Sequence, residues 1–366
     1  MNEETIMKSG KPGVLRTVIK WVFRVILAVV CAFALLLGYL TLTEYRPEEE
    51  LSVDVEGNGV KPLAEGETIT VMTWNTGYGA LGDNADFFMD GGTHVKTADQ
   101  DRVLSNVEGI LDQTLEYTPD LIFYQETDKN SGRSYHIDET ELLSDGFPGY
   151  ASAFATNYKV AFVPYPVPPI GSVHSGLLTL SAYEIESASR IQLPCPFSWP
   201  VRLGNLKRCL LISRIPVENG KELVAINLHL EAYDSGEGKI AQTKMLKEVL
   251  EAERAKGNYV IAGGDFNQIF SDVDMSMYPV YPGCWEPGVI ETGEFGSEWS
   301  LVMDNSSPSC RSLDRPYEGE DPSSFQFYLI DGFIVSDNVS VESLETQDLG
   351  FVVSDHNPVL MKVILN

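Results

Sequence analysis

The sequence is poor in basic residues. Its 366 residues include 26 lysines and arginines against 53 aspartates and glutamates, which gives a formal net charge of −27. A protein that coats nucleic acid needs a basic surface to neutralise phosphates, so this imbalance argues against such a role. It does not exclude an enzyme that meets a phosphate through a divalent cation.

Cysteine is also scarce, and no internal repeat or low-complexity tract is visible. The five cysteines are Cys31, Cys195, Cys209, Cys284 and Cys310. Their spacings contain no CxxC pair and no disulfide framework, which argues against a structural metal site and against a disulfide scaffold. We therefore expect isolated buried thiols.

Charged residues are missing from one long stretch. Residues 25–43 read VILAVVCAFALLLGYLTLT, and nineteen apolar residues suffice to span a bilayer as a helix. Lysine and arginine precede this run and glutamate follows it, which places the N-terminus in the cytoplasm under the positive-inside bias. We predict a basic cytoplasmic segment over 1–24, a transmembrane anchor over 25–43 and a linker over 44–67. A cleaved signal peptide is the alternative, although the run is long for one and no clear cleavage site follows it.

In the rest of the chain, 68–366, short apolar runs end in polar side chains. The apolar run 259–262 predicts a buried strand, and two glycines then lead to Asp265 and Asn267. A carboxylate beside an amide suits a phosphate held near a hard cation. An ordinary Gly-Asp-Asn turn is the alternative, so the interpretation depends on matching groups at other strand ends.

Two other predicted strands do end in oxygen-bearing side chains. Residues 68–75 alternate apolar and β-branched residues and finish at Asn75, where turn initiation is the alternative role. Residues 121–124 form a short apolar run that is followed by Gln125 and Glu126. A carboxylate at the end of a buried strand is costly unless it is paired, and a cation would remove that cost.

Two histidines and two aspartates complete the set. His229 lies near the end of the strand LVAINLHLE, where a buried structural histidine is the alternative. Asp331 interrupts the apolar run QFYLIDGFIV and therefore needs a partner, while Asp355 and His356 stand just before a last strand. Carboxylates for a cation, amides for phosphate oxygens and two imidazoles together indicate a phosphoryl-transfer site.

Two helices are predicted between these strands. Thr97 and Gln100 fit a capping box at the start of the first helix. The second covers 238–256, with Ile240 on its apolar face. Residues 271–321 are rich in proline, glycine, serine and acids, and they predict surface loop.

Six of these motifs, in this order, resemble those of the endonuclease/exonuclease/phosphatase superfamily, the Mg²⁺-dependent enzymes related to DNase I, sphingomyelinases and inositol-polyphosphate phosphatases. The motifs are TWN at 73–75, QE at 125–126, NLHLE at 227–231, GDFN at 264–267, IDGFIVS at 330–336 and SDHNPV at 354–359. The resemblance covers about residue 68 to the C-terminus. It implies an α/β (α+β) fold, a four-layer α/β/β/α sandwich of two mixed β-sheets, which here follows one N-terminal transmembrane helix.

The resemblance also implies roles for individual residues. The implied catalytic residues are His229, Asp265, Asn267, Asp331 and His356. The implied metal ligands are Asn75, Glu126 and Asp355. Within these sets His356 would be the general base or its electrostatic equivalent, and Asp331 would orient it.

One position departs from the family pattern. Ala182 stands where many members carry a basic residue, and Glu184 stands where a proline is common. A basic phosphate contact is therefore in doubt there. Arg133 and Arg208 are our candidates for substrate binding in its place, with Lys159 as a further possibility.

The implied activity is hydrolysis of a phosphodiester or phosphomonoester outside the cytoplasm, by metal-assisted in-line attack of water. The expected cofactor is Mg²⁺, with Mn²⁺ as an alternative. The substrate would be a phospholipid head group, a nucleic acid or a small phosphoester, and the membrane would be met through the N-terminal helix of a single-pass protein; no protein partner is predicted. A surface-tethered DNase-like nuclease and an inactive binding module on the same fold are the alternatives.

Overall fold

The computed structural model describes residues 12–366, which form two compact units that divide after Glu44. The predicted basic segment over 1–24 thus lies partly outside the described residues. The first unit is one helix, α1 (Pro12–Leu42). Its most apolar 18-residue window has a mean hydropathy of 2.7, so by length and composition α1 could be a membrane span or a signal sequence.

The second unit contains the remaining helices and all the strands of the described chain. The helices are α2 (Gln100–Tyr117), α3 (Glu139–Asp145) and α4 (Glu237–Ala255). The strands are β1 (Glu50–Val53), β2 (Val55–Gly57), β3 (Thr68–Asn75), β4 (Leu121–Asp128), β5 (Ala151–Val163), β6 (Gly171–Ser181), β7 (Ser187–Gln192), β8 (Cys209–Pro216), β9 (Glu222–His229), β10 (Tyr259–Asp265), β11 (Gln268–Phe270), β12 (Gly288–Ile290), β13 (Trp299–Val302), β14 (Cys310–Arg311), β15 (Phe327–Tyr328), β16 (Asp331–Ser336), β17 (Val339–Thr346) and β18 (Val359–Leu365).

Most of the strands form two seven-stranded mixed sheets. The first sheet has the order β1-β7-β8-β9-β10-β16-β13 and the second the order β17-β18-β3-β4-β6-β5-β2. Each sheet holds one parallel pair, β9 with β10 in the first and β3 with β4 in the second, among antiparallel neighbours. A parallel pair brings the carboxyl ends of two strands to the same edge of a sheet, and the polar motifs follow these ends.

The alternation of side chains along the strands builds three apolar layers. In β3, Val71 faces the core between the sheets while Met72 packs with the α2 side. In β10, Ile261 faces the same central core while Val260 packs with the α4 side. Helices therefore cover both outer faces of a pair of stacked sheets, and the predicted four-layer α/β/β/α sandwich is confirmed.

The start of α2 differs from the prediction. The helix begins at Gln100, and its N-cap is Asp99, whose side chain accepts a hydrogen bond from the backbone N–H of Arg102 at 2.9 Å. The capping box assigned to Thr97 was therefore wrong. Aspartate caps a helix as well as threonine does, and Asp99 stands next to the first helical residue.

The apolar face of α4 also differs from the prediction. Leu246 and Leu250 are buried, but Ile240 is 71% exposed. Ile240 precedes Leu246 by six residues, which at 3.6 residues per turn places it about 240° around the helix. The apolar pattern of the sequence did not show that Ile240 and Leu246 lie on different sides of the helix.

Three strand assignments need correction. β1 and β2 lie inside the stretch 44–67 that we predicted as linker, and they pair with β7 and β5 at sheet edges. Within the predicted loop 271–321, β13 joins the first sheet beside β16. Asp331 does not interrupt a strand but begins β16, because the hydroxyl of Ser309 accepts the N–H groups of Ile330 and Asp331 and breaks the run after β15.

The five cysteines all lie in the described part of the chain, and each is free, as expected. Cys209 and Cys310 are buried, but Cys195 is exposed and Cys284 is half-buried. The expectation of buried thiols was therefore wrong for these last two, and Cys31 on α1 is exposed as well.

Glu253 fastens the end of α4 to the first sheet. Its carboxylate lies 2.6 Å from the guanidinium of Arg214 in β8 and 2.9 Å from the Nζ of Lys256, and it accepts a bond from Asn258 at 3.1 Å. Burial opposes the charge, but these contacts lower the pKa of Glu253 to about 2. We expect Glu253→Gln to lower the free energy of unfolding at pH 7 by about 1–2 kcal/mol.

The difference between the pKa of Glu253 in the folded protein and its pKa in the unfolded chain fixes how this effect depends on pH. A depressed pKa in the folded state gives stability that is present above the unfolded value near 4.5 and is lost as pH falls toward 2. Urea unfolding in mild detergent should therefore show the difference between the two proteins shrinking across that range. Glu248→Gln, which removes an exposed carboxylate on the same helix, is the control. An equal deficit at pH 3 and pH 7 would contradict this assignment.

Candidate active site

Strand register places one imidazole and two carboxylates in a row at the edge of the first sheet. His229 at the end of β9 is paired with Asp265 at the end of β10, and Asp265 is paired with Asp331 at the start of β16. His229 Nε2 lies 3.4 Å from Asp265 Oδ2. All three side chains are buried, although they come from three distant parts of the sequence.

Asn75 joins the second sheet to this row. It ends β3, and its Nδ2 donates a hydrogen bond to Asp265 Oδ2 at 3.0 Å. Its Oδ1 accepts the backbone N–H of Gly77 at 3.1 Å. The edges of the two sheets therefore meet at the Asp265 carboxylate.

His356 lies on the loop before β18 and reaches the same carboxylate. Its Nδ1 is 2.8 Å from Asp331 Oδ2, and its Nε2 is 3.8 Å from Asp265 Oδ2. The indole of Trp74 donates to the backbone carbonyl of His356 at 2.9 Å, which fixes the loop on β3. The structure thus places Asp331 where it can orient His356.

The two histidines have opposite electrostatic character. Burial disfavours the charge on His356, but the Asp331 carboxylate outweighs it and raises the pKa of His356 well above its usual value. Burial, together with the charges of Arg208 and His356, lowers the pKa of His229 well below its usual value. The surroundings therefore favour the imidazolium form of His356 and the neutral form of His229.

The pKa of the Asp265 carboxyl is raised above its usual value. Burial, followed by the negative charge of Asp331, raises its pKa to about 7. Its Oδ1 accepts the backbone N–H of Asn267 at 2.8 Å, and its Oδ2 accepts from Asn75. A fixed carboxylate whose pKa is raised is a stronger base and can take a proton from water.

Glu126 is held in an unusual backbone conformation. Its φ is 56°, and it lies where the pairing of β4 with β6 shifts register between Tyr124 and Thr127. A non-glycine residue in this region is strained, and such bulges redirect side chains. Here the bulge accompanies a carboxylate that lines the same cavity as Asp265 and His356.

Glu126, which is half-buried, and Asp355, which is buried, are the candidate ligands for a hard cation. Both line the cavity, and burial together with the charge of Glu126 raises the pKa of Asp355 to about 6. Asp331 Oδ1, close by, has no hydrogen-bond partner among the described residues. Carboxylate oxygens are the donors that Mg²⁺ and Mn²⁺ prefer. The predicted ligand Asn75, by contrast, is bonded to Asp265 and does not line the cavity.

Asn267 is engaged by the protein. It adopts a positive φ of 51°, and its Nδ2 donates to the carbonyl of Leu230 at 2.9 Å. Its backbone N–H bonds Asp265. The structure therefore gives Asn267 the task of fixing the Asp265 carboxylate and the chain after β9.

The two predicted substrate-binding arginines line the cavity, and each already has an acidic partner. Arg133 forms two hydrogen bonds to Asp128, at 3.0 and 2.9 Å, and its guanidinium lies 3.6 Å from the ring centroid of Tyr78. Arg208 contacts Glu231 at 3.3 Å. Lys159, the further possibility, is exposed and is not among the lining residues.

The cavity has a volume of about 670 Å³. Six of the eight predicted catalytic and metal-binding residues line it: Glu126, His229, Asp265, Asn267, Asp355 and His356. Asn75 and Asp331 lie behind them and bond to Asp265 and His356. The predicted set is therefore assembled at one place.

Sequence reasoning missed Cys310 and Arg311, which also line the cavity. The Cys310 thiol lies beside His356, and burial raises its pKa to about 12. Ligand atoms of Cys310, Asp355 and His356 lie within 4.8 Å of one another. The two missed residues form β14, a strand too short for any periodic pattern to mark it in the sequence.

The two-sheet sandwich, with its polar cluster where the sheet edges meet, has the architecture of the DNase I-like proteins. The model of the Endonuclease/Exonuclease/phosphatase family matches residues 72–356. The chain belongs to this family, whose members are hydrolases that act on phosphoester bonds.

Solved structures agree on the fold. An endonuclease/exonuclease/phosphatase from Beutenbergia cavernae DSM 12333 is 17% identical, with a TM-score of 0.56 over 82% of this chain and 72% of that chain. One from Bacteroides vulgatus is 15% identical, with a TM-score of 0.52 over 82% of this chain and all of that chain (100%). No curated protein matches the chain at significant similarity.

Proposed function

We propose that the chain is a metal-dependent phosphoesterase that hydrolyses a phosphodiester or phosphomonoester at this cavity. The observation that carries the proposal is the Asp265 carboxylate, which is contacted from both sheets by Asn75, His229 and His356. A base, an imidazolium and an uncompensated acidic pair within one cavity are the groups that phosphoryl transfer to water requires.

Each residue then has a task in the reaction. Asp265 takes a proton from a water molecule as the water oxygen bonds to phosphorus and the bond to the ester oxygen breaks. His356, kept as an imidazolium by Asp331, donates a hydrogen bond to the phosphoryl oxygens, where negative charge develops. Asn75 and Asn267 hold Asp265 in orientation.

Glu126 and Asp355 would hold the metal ion, Mg²⁺ or Mn²⁺. When bound, such an ion neutralises phosphate charge and polarises a phosphoryl oxygen. An ion held by these two carboxylates would place the phosphate in the cavity that His356 and Asp265 also line.

We further propose that α1 anchors the protein in a membrane with its N-terminus in the cytoplasm. The support is the apolar character of α1 and the change from basic residues before residue 25 to acidic residues after residue 43. The second unit would then act outside the cytoplasm, on phosphoesters at or near the bilayer surface.

An assay on the full-length protein in detergent tests the activity. EDTA-treated enzyme is supplied with Mg²⁺ or Mn²⁺ and offered p-nitrophenyl phosphodiesters and monoesters, phospholipids, phosphorylated inositols and DNA. We expect hydrolysis of at least one class, its loss in EDTA, and its recovery with either metal. Hydrolysis that persists unchanged in EDTA would contradict the role of the metal, and the absence of turnover on every phosphoester would support an inactive binding module.

A further inference from the structure

The cavity is apolar over much of its wall. About half of its lining residues are aliphatic or aromatic, beside the six candidate catalytic and metal-binding residues. Tyr158 and Leu206 belong to one apolar cluster with Val163 and Ile170 beside the site. A phosphate and a cation need none of these contacts, so the wall must serve another part of the substrate.

This wall continues outward to an exposed edge that three segments form. They are the loop before α2, the β5–β6 hairpin and the loop before β8, and the rings of Phe88 and Tyr165 join the first two with centroids 5.8 Å apart. We call this edge the apolar rim, made of Phe88, Met89, Val163, Tyr165, Val201 and Leu206.

The outer rim residues are open to solvent. Tyr165 is 69% exposed, Val201 57% and Met89 48%. Exposed apolar side chains that adjoin a binding cavity and continue its apolar lining mark a surface for an apolar ligand.

Nucleic acid suits this surface poorly. No lysine of the described residues lines the cavity, and its arginines are Arg133, Arg208 and Arg311. The first two are paired with Asp128 and Glu231, and Arg311 donates to backbone carbonyls, including that of Gly82 at 2.7 Å. A strand of nucleic acid needs cations along its backbone, and the chain as a whole carries a net charge of −27.

We propose that the substrate is an amphiphile, a phosphoester with an apolar chain of the kind found in membrane lipids. Its phosphate lies at Glu126, Asp265 and His356, and its chain lies along the apolar rim. This inference rests on the proposed phosphoesterase function, and it specifies the substrate class of the same site.

Two pairs of substrates that differ only in chain length test it with the full-length enzyme in detergent. One pair is p-nitrophenyl octyl phosphate and p-nitrophenyl methyl phosphate, followed by p-nitrophenolate release. The other pair is octyl and methyl monophosphate, followed by phosphate release. We expect kcat/KM to be about thirtyfold higher for the octyl member of the hydrolysed pair, because the added methylenes leave water.

A rim variant and a matched control locate the effect. Met89→Ser, Tyr165→Ser and Val201→Ser are combined in the rim variant, which should bring the octyl-to-methyl ratio of kcat/KM to within about threefold of one. The control combines Ile240→Ser, Met277→Ser and Val289→Ser, three exposed apolar residues that do not line the cavity, and it should keep the wild-type ratio.

The remaining outcomes separate the two proposals. A wild-type ratio near one, a rim variant that keeps the high ratio, or a single-stranded oligonucleotide cleaved in preference to the octyl esters would overturn the lipid-like substrate alone. Failure to hydrolyse any ester or oligonucleotide with Mg²⁺ or Mn²⁺ would overturn the phosphoesterase function itself.

Discussion

Replacing His356 by alanine lowers kcat by about a thousandfold or more, with the protein still folded. The substitution removes the imidazolium that Asp331 maintains, so no charged donor remains beside Asp265. The rate is measured on whichever phosphoester the wild-type enzyme turns over, and folding is checked by circular dichroism. Asp331→Asn should lower kcat as well, with a smaller effect, because its carboxylate acts through His356.

The control for this prediction is His136→Ala. His136 is exposed and does not line the cavity, so its loss should change kcat by less than about twofold. Wild-type activity in folded His356→Ala protein would remove His356 from the mechanism. A similar loss in both variants would indicate a general defect of the protein.

Replacing Glu126 by glutamine lowers kcat by at least about a hundredfold and weakens Mn²⁺ binding by at least tenfold. Glutamine keeps the size of the side chain but removes the negative charge of Glu126, which lines the same cavity as Asp355. Calorimetric titration with Mn²⁺ measures the binding independently of turnover, and assays over a range of Mg²⁺ concentrations measure the rate.

Glu141→Gln provides the matched control, since Glu141 is an exposed carboxylate on α3 outside the cavity. It should bind Mn²⁺ and turn over substrate as the wild-type protein does. Unaltered Mn²⁺ affinity in Glu126→Gln would show that the metal is held elsewhere, for example by Cys310, Asp355 and His356, whose ligand atoms are also close together.

The central strands and the site they carry could be predicted from sequence because both signals are local. A buried strand such as β10 is a continuous apolar run, and a polar residue directly after it is conspicuous. Asp265 and His229 both stand at or near the ends of predicted strands, and the family resemblance placed them in one catalytic set. The register confirms that they are neighbours.

The edge strands could not be predicted, because their pairing is decided by their partners. β1 and β2 are partly exposed and only four and three residues long, so any alternation along them is too short to identify a strand. β7 also lies beside a longer neighbour, β8, with which it pairs along its whole length. Such strands add to a sheet that the central strands have already defined.

The residues that form the walls of the cavity could not be predicted from the sequence either. The rim residues Met89, Tyr165 and Val201 lie in three loops that share no motif and meet only in the folded chain. Cys310 in β14 likewise adjoins His356 only in the folded chain, through an isolated bridge to the loop before β18. The sequence therefore indicated the candidate site residues, while the apolar rim on which the substrate proposal rests is visible only in the folded chain.

The measurement that tests the central claim most directly is kcat for the double variant Glu126→Gln/His356→Ala beside its two single variants. If Glu126 and His356 serve one reaction centre, kcat of the double variant should be no more than about threefold below kcat of the slower single variant. If the two losses instead multiply in full, the residues act independently and the single shared centre is contradicted.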